Sequence, residues 1–145
     1  EGELAEARRL SKLIFIRWCL VMIQFEKALY ADPGGDLEKT WWGLVSRYQL
    51  LQPPPARTAA DWATKIHLVI APVYYQNYLL GELFAAQLRH RLGADDPSFI
   101  GRTGVSELLV ESVFGPGRKY PWPKLMEIAT GEPLSERHLL AEIVE

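Results

Sequence analysis

From Leu4 to Tyr30 the chain has neither proline nor glycine, and apolar residues recur densely at Leu10, Leu13, Ile14, Ile16, Trp18, Leu20, Val21 and Phe25. That density is too high for a narrow amphipathic stripe, so the pattern predicts one long helix buried on most sides. The run ADPGGD (31–36) ends it, and Asp36 is placed to cap a second helix over about Leu37 to Leu50. On that helix Trp41, Trp42, Val45 and Tyr48 recur at helical spacing, which puts most of them on one face. The next run, QPPPARTAAD (52–61), holds consecutive prolines that remove backbone donors and fix φ, predicting an extended connector. Thr58 with Asp61 resembles a capping box for a short turn.

From Lys65 to Ala71 β-branched residues alternate, and Pro72 disfavours helix at Ala71, so this segment is predicted to be extended. A long helix then runs from about Val73 to Leu92, with Gly93 as its C-terminal cap. Three shorter helices follow near 104–113, 121–129 and 135–144, the last capped by Ser135. There is no internal repeat. The expectation is an all-α chain, a single helical domain over 1–145 with about six helices and an extended proline-rich connector.

At 145 residues the chain is long enough to bury a core without staples, and its 48% apolar and 23% charged residues match an ordinary folded composition. A net charge of −2 gives no general attraction to nucleic acid or anionic lipid, so neither a nucleic acid nor a membrane is an expected partner. Arg17, Glu26 and Lys27 interrupt the longest apolar run, which argues against a membrane span. Basic residues cluster in Arg89-His90-Arg91 and Arg118-Lys119, each read as a solvated helix end. Cys19 is the single cysteine, and its apolar surroundings mark it as a small buried hydrophobe. The redox compartment stays open.

Candidate chemistry is sparse. His67, His90 and His138 form no His-Glu-x-x-His pair and have no cysteine cluster beside them, so no metal site is expected within the chain. His90 and His138 read as surface residues. A phosphate loop, a dinucleotide fingerprint and a nucleophile elbow are absent as well. What stands out is KIHLVIAPVYYQNY (65–78). In an extended segment Lys65 and His67 share a face, and on the helix beyond Pro72 so do Tyr75 and Tyr78. The lysine suits a carboxylate; a neutral histidine and two phenols supply donors for carbonyl oxygens or a developing oxyanion. From spacing alone two roles remain open: that binding set, or amphipathic core aromatics around a satisfied imidazole.

The run WWGLVSRYQLLQPPPARTAADWATKIH, followed by YQNY, resembles the C-terminal part of the angiotensin-converting enzyme family of zinc peptidyl-dipeptidases. The downstream YPWPKLMEIATGEPLSERHLL is similar to the same family, and the likeness runs collinearly over roughly residues 15 to 145. By position the resemblance implies that Lys65 holds a substrate's C-terminal carboxylate with Tyr75 as phenol partner. It implies that His67 and Tyr78 are catalytic, binding the peptide backbone and stabilising the tetrahedral intermediate. Tyr74 competes with Tyr75, because the gap from His67 is one residue longer than in animal members. Asn77 stands where those members carry an anion-binding arginine, which removes the expectation of chloride activation. Gln52 replaces a cysteine of the family's disulfide pattern.

The family's zinc-binding helix and third ligand lie upstream of the matching region. The resemblance therefore implies a helical fragment of a gluzincin-type peptidase, with zinc as cofactor of the full-length enzyme and none bound by this chain. The partners it implies are a peptide substrate and the N-terminal zinc-binding portion of the same polypeptide, with self-association of an isolated piece to cover apolar surface. Alone, the chain is expected to be inactive. The competing expectation is a non-catalytic helical interaction domain.

Overall fold

The computed structural model describes residues 2–56, 58–93 and 101–144, so Arg57 of the Arg-Thr pair lies outside the described residues. Among these the chain is all-α, with seven helices and no strand. It divides into two compact units, Glu1–Leu79 and Leu80–Glu145.

In the first unit α1 (Gly2–Ala31) meets α2 (Leu37–Gln49) across the Pro-Gly-Gly turn. Asp36 caps α2 as expected, its carboxylate accepting from the Lys39 N–H at 3.0 Å. Val21, Met22 and Phe25 of α1 pack on Trp41 and Val45 of α2 to form the core. The Phe25 and Trp41 rings meet edge to face at 5.1 Å, and Trp18 meets Trp41 the same way at 5.7 Å. Such pairs contribute about 0.5–1.5 kcal/mol each beyond the area they bury. Arg17 Nε donates to the Tyr48 carbonyl, satisfying an otherwise orphaned acceptor in the last turn of α2.

Burial of α1 is confined to its second half. Cys19 is fully buried, but Leu4, Leu10, Leu13 and Ile14 are exposed, against the expectation of a helix buried on most sides. The contacts of α2 extend as far back as Ile14, whose carbonyl accepts from Gln49 Nε2 at 3.2 Å.

After the proline-rich connector comes a 3₁₀ turn (Asp61–Thr64) and then a single α-turn, α3 (Ile66–Val69). The 3₁₀ turn starts at Ala60 without a side-chain cap, so the Thr58 capping box does not form there. The stretch after Lys65 is helical rather than extended. Leu68 is drawn into the Trp41 core, and tertiary burial overrides the local strand preference of its β-branched neighbours. Helix α4 runs Gln76–Leu92, starting three residues later than expected because Val73 takes a left-handed φ of 55°.

The second unit holds the rest of α4, closed by Gly93 at φ 68° as expected, then α5 (Thr103–Leu109), α6 (Trp122–Thr130) and α7 (Arg137–Val144). A π-helical turn, Val110–Phe114, continues α5, closed by the Gly115 N–H on the Val110 carbonyl at 2.7 Å. Helix α7 begins one turn boundary later than Ser135, yet Ser135 Oγ still accepts from the Arg137 N–H at 3.3 Å. Gln87, 1% exposed, ties α4 to the segment between α6 and α7. Its Nε2 group lies 2.9 Å from Thr130 Oγ1 and 3.1 Å from each of the Glu132 and Pro133 carbonyls. Its Oε1 accepts from the Ser135 N–H at 3.1 Å.

His138 is buried, contrary to the surface position expected for it. Its Nε2 lies 2.6 Å from Glu132 Oε1 and 3.1 Å from Arg137 Nε. His90 is exposed, as expected, and its ring lies 4.2 Å from that of His138. Arg89 is not simply solvated, because it grips Glu142 with two parallel bonds of 2.8 and 2.7 Å.

Candidate functional site

The four residues singled out from KIHLVIAPVYYQNY all fall in the first unit. The 3₁₀ turn positions the first of them. Trp62 packs on Phe25 at 5.4 Å, and the Lys65 N–H donates to the Trp62 carbonyl at 3.0 Å, fixing Lys65 as the residue that opens α3. In a helical turn, residues two apart point to nearly opposite sides. Lys65 and His67 therefore do not share a face as an extended segment would require.

Lys65 turns toward indoles. Its Nζ lies 5.3 Å from the Trp18 ring centre and 6.0 Å from that of Trp41, a cation–π arrangement on both. It borders a cavity of about 370 Å³ that is also lined by Trp42 and Asp61. No carboxylate stands within ion-pair distance of Lys65 among the described residues. The result is a half-buried ammonium with aromatic walls, able to take an incoming anion in a medium where Coulomb attraction is stronger than in water.

His67 turns the other way, toward three phenols. Its Nε2 lies 3.1 Å from Tyr78 Oη. Its ring stacks nearly parallel on Tyr74 at 6.1 Å and meets Tyr75 and Tyr78 edge to face at 4.9 and 5.5 Å. Phe15 closes on Tyr78 at 6.2 Å. Tyr74 and Tyr78 remain 47% and 38% exposed, so the cluster is a rim rather than a core. In the tautomer that carries its proton on Nε2, the ring donates to the Tyr78 oxygen and leaves the phenolic O–H free as a donor; in the other, the phenol donates to the ring.

Tyr75 is the inner member. Burial pushes its phenol above the ordinary value, partly offset by a hydrogen bond from the Trp18 indole, while Cys19 and Tyr78 raise it slightly further. Trp18 is thus touched by Tyr75 and by Lys65, so the two residues assigned to one carboxylate converge on a single indole. Tyr74, by contrast, faces His67 and solvent.

Sequence spacing located the histidine–tyrosine cluster but missed the wall of the lysine site. Trp18 and Trp41 stand out in the sequence only as apolar positions of two separate helices. Their part in the lysine site depends on packing between segments far apart in the chain, which no local spacing records. Tyr74 was visible as an alternative to Tyr75; its stacking on His67 was not.

Among the described residues no group of three His, Cys, Asp or Glu side chains is placed to hold a metal ion. No helix among them is long and apolar enough to cross a membrane. No known family, curated protein or solved structure matches this chain.

Proposed function

We propose that this chain forms the substrate-site portion of a zinc metallopeptidase of the dipeptidyl carboxypeptidase type, a gluzincin resembling peptidyl-dipeptidase A. The observation that carries the proposal is Lys65, a half-buried ammonium between two indoles with no carboxylate partner among the described residues. Lys65 takes the C-terminal carboxylate of a peptide, with Tyr75 placed through Trp18 beside it. His67 and Tyr78 bind the peptide backbone, and the Tyr78 O–H, free when His67 carries its proton on Nε2, donates to the oxygen that gains charge as the peptide carbonyl is attacked. The described residues do not fit zinc, so the metal is assigned to the N-terminal portion of the same polypeptide. The steps assigned to this chain are binding and donation alone.

The test uses the polypeptide that carries this chain together with that portion. Lys65→Ala should raise KM for peptides with a free C-terminus, and the penalty should shrink for the same peptides amidated. Tyr78→Phe should lower kcat by roughly 10²–10³-fold with little change in KM, as for other oxyanion donors. Equal loss on free and amidated peptides, with kcat untouched by Tyr78→Phe, overturns the proposal. The second reading, a non-catalytic interaction domain, draws on the exposed Ile66, Val69 and Ile70 and on the exposed half of α1. Absence of any peptide hydrolysis by the polypeptide would favour it.

A further inference from the structure

We propose that Glu26 is a positioning residue for the histidine–tyrosine cluster: its buried carboxylate holds Val73 in a left-handed turn, and that turn sets where Tyr74, Tyr75 and Tyr78 stand against His67. The consequence for catalysis rests on the peptidase function above; the consequence for the geometry of the cluster does not.

Glu26 is 6% exposed, on the core-facing half of α1, where an ionisable side chain is costly unless it is hydrogen-bonded. Its Oε1 accepts the backbone N–H of Val73. Val73 has φ 55°, a region that β-branched residues rarely enter and hold only when their surroundings impose it. Packing does not impose it here, since the Val73 side chain is 61% exposed. The polar grip does. Besides Glu26 on its N–H, the Val73 carbonyl accepts from Gln76 Nε2 at 2.7 Å, so both backbone polar groups of this residue are held by side chains. Glu26, Val73 and Gln76 together border a cavity of about 240 Å³, away from the lysine site.

The turn is passed on to the cluster through the start of α4. The Tyr74 carbonyl accepts from Asn77 N–H at 2.9 Å and the Tyr75 carbonyl from Tyr78 N–H at 3.2 Å. A different φ at Val73 redirects Tyr74 at once and Tyr78 one turn later. Tyr78 would then leave the 3.1 Å contact with His67.

The readout is the ring-proton cross-relaxation between His67 and Tyr78 in the full chain, followed by NMR. Glu26→Gln retains an acceptor oxygen and should keep the contact. Glu26→Leu should lose it. Adding Val73→Gly to Glu26→Leu should restore it, because glycine enters the left-handed region unaided. Should Glu26→Leu fail to fold, Val73→Pro serves: at an exposed position it removes the N–H and forbids positive φ, so the contact should vanish while the core survives. A contact that persists in folded Glu26→Leu or in Val73→Pro, or a loss that Val73→Gly does not repair, overturns the proposal. In the peptidase, Glu26→Leu should reduce kcat/KM by about 10²-fold, chiefly through kcat, and Glu26→Gln should recover most of it. Full activity in a variant that has lost the contact would remove the cluster from catalysis and leave Glu26 as its positioning residue.

Discussion

Two polar clusters in this chain put their hydrogen-bonding groups to opposite ends. Around Gln87 in the second unit, every polar group is internal: the amide nitrogen serves Thr130, Glu132 and Pro133, and the amide oxygen takes the Ser135 N–H. Around His67 in the first unit, one ring nitrogen is engaged by Tyr78, and the phenols of Tyr74 and Tyr78 reach solvent. The first cluster has spent its hydrogen-bonding capacity on the fold. The second has capacity left, and that difference, rather than burial or the presence of a histidine, is what makes it a candidate for binding.

The sharpest way to break this contrast is to remove one member of each cluster and measure stability. Gln87→Leu removes the partner of the Ser135 N–H and of the Pro133 carbonyl, at about 1–3 kcal/mol for each group left unpaired. A loss of roughly 3 kcal/mol in urea unfolding is expected. His67→Phe removes one bond on an exposed rim and should change stability by less than about 1 kcal/mol. Comparable losses for both would mean that the His67 cluster is structural after all.

A smaller effect separates the two regions by pH. Hydrogen bonding from His138 holds the Glu132 carboxyl below its ordinary value of 4.5, aided by Arg137 and opposed in part by desolvation. A carboxyl depressed in the folded state contributes stability that is fully present above 4.5 and is lost as pH falls through the folded value. Acid unfolding of the chain should therefore steepen below about pH 4.5, and Glu132→Gln should flatten that part of the profile. An unchanged acid profile in Glu132→Gln would show that the Glu132–His138 pair adds nothing to folding.

How much of this was legible in the sequence depends on how local each cause is. The α1–α2 hairpin, the Asp36 cap and the Gly93 stop were readable because proline, glycine and a capping carboxylate act within a few residues. The Lys65–Ala71 segment was misjudged because its alternating β-branched pattern is a local signal, while the burial of Leu68 against Trp41 is not. His138 looked like a surface residue for a similar reason, its burial depending on Glu132 and on the His90 ring from another helix. In the candidate site, the tyrosine spacing and the choice of His67 and Lys65 came from the sequence. The division of Lys65 and His67 onto opposite sides of one helical turn, and the Trp18 link between Lys65 and Tyr75, came from packing.

The smallest expected effect lies at Tyr75, and it probes whether the inner tyrosine belongs with the spent or the unspent groups. Burial raises its phenol above 10.0, and the Trp18 indole, by donating to the oxygen, opposes that rise without cancelling it. In the unfolded chain the same phenol ionises first, so the folded state binds more protons once pH passes about 10. Stability should then fall as pH rises from 10.0 toward the folded value and level off beyond it. Spectrophotometric titration of the tyrosines should show one phenol lagging behind the others. Tyr75→Phe should abolish the lag, whereas Tyr74→Phe should leave it. Trp18→Phe removes the donor that favours the phenolate, so the lag should lengthen. If it shortens instead, Tyr75 is held neutral by something other than its burial against Trp18, and the convergence of Lys65 and Tyr75 on that indole loses its chemical meaning.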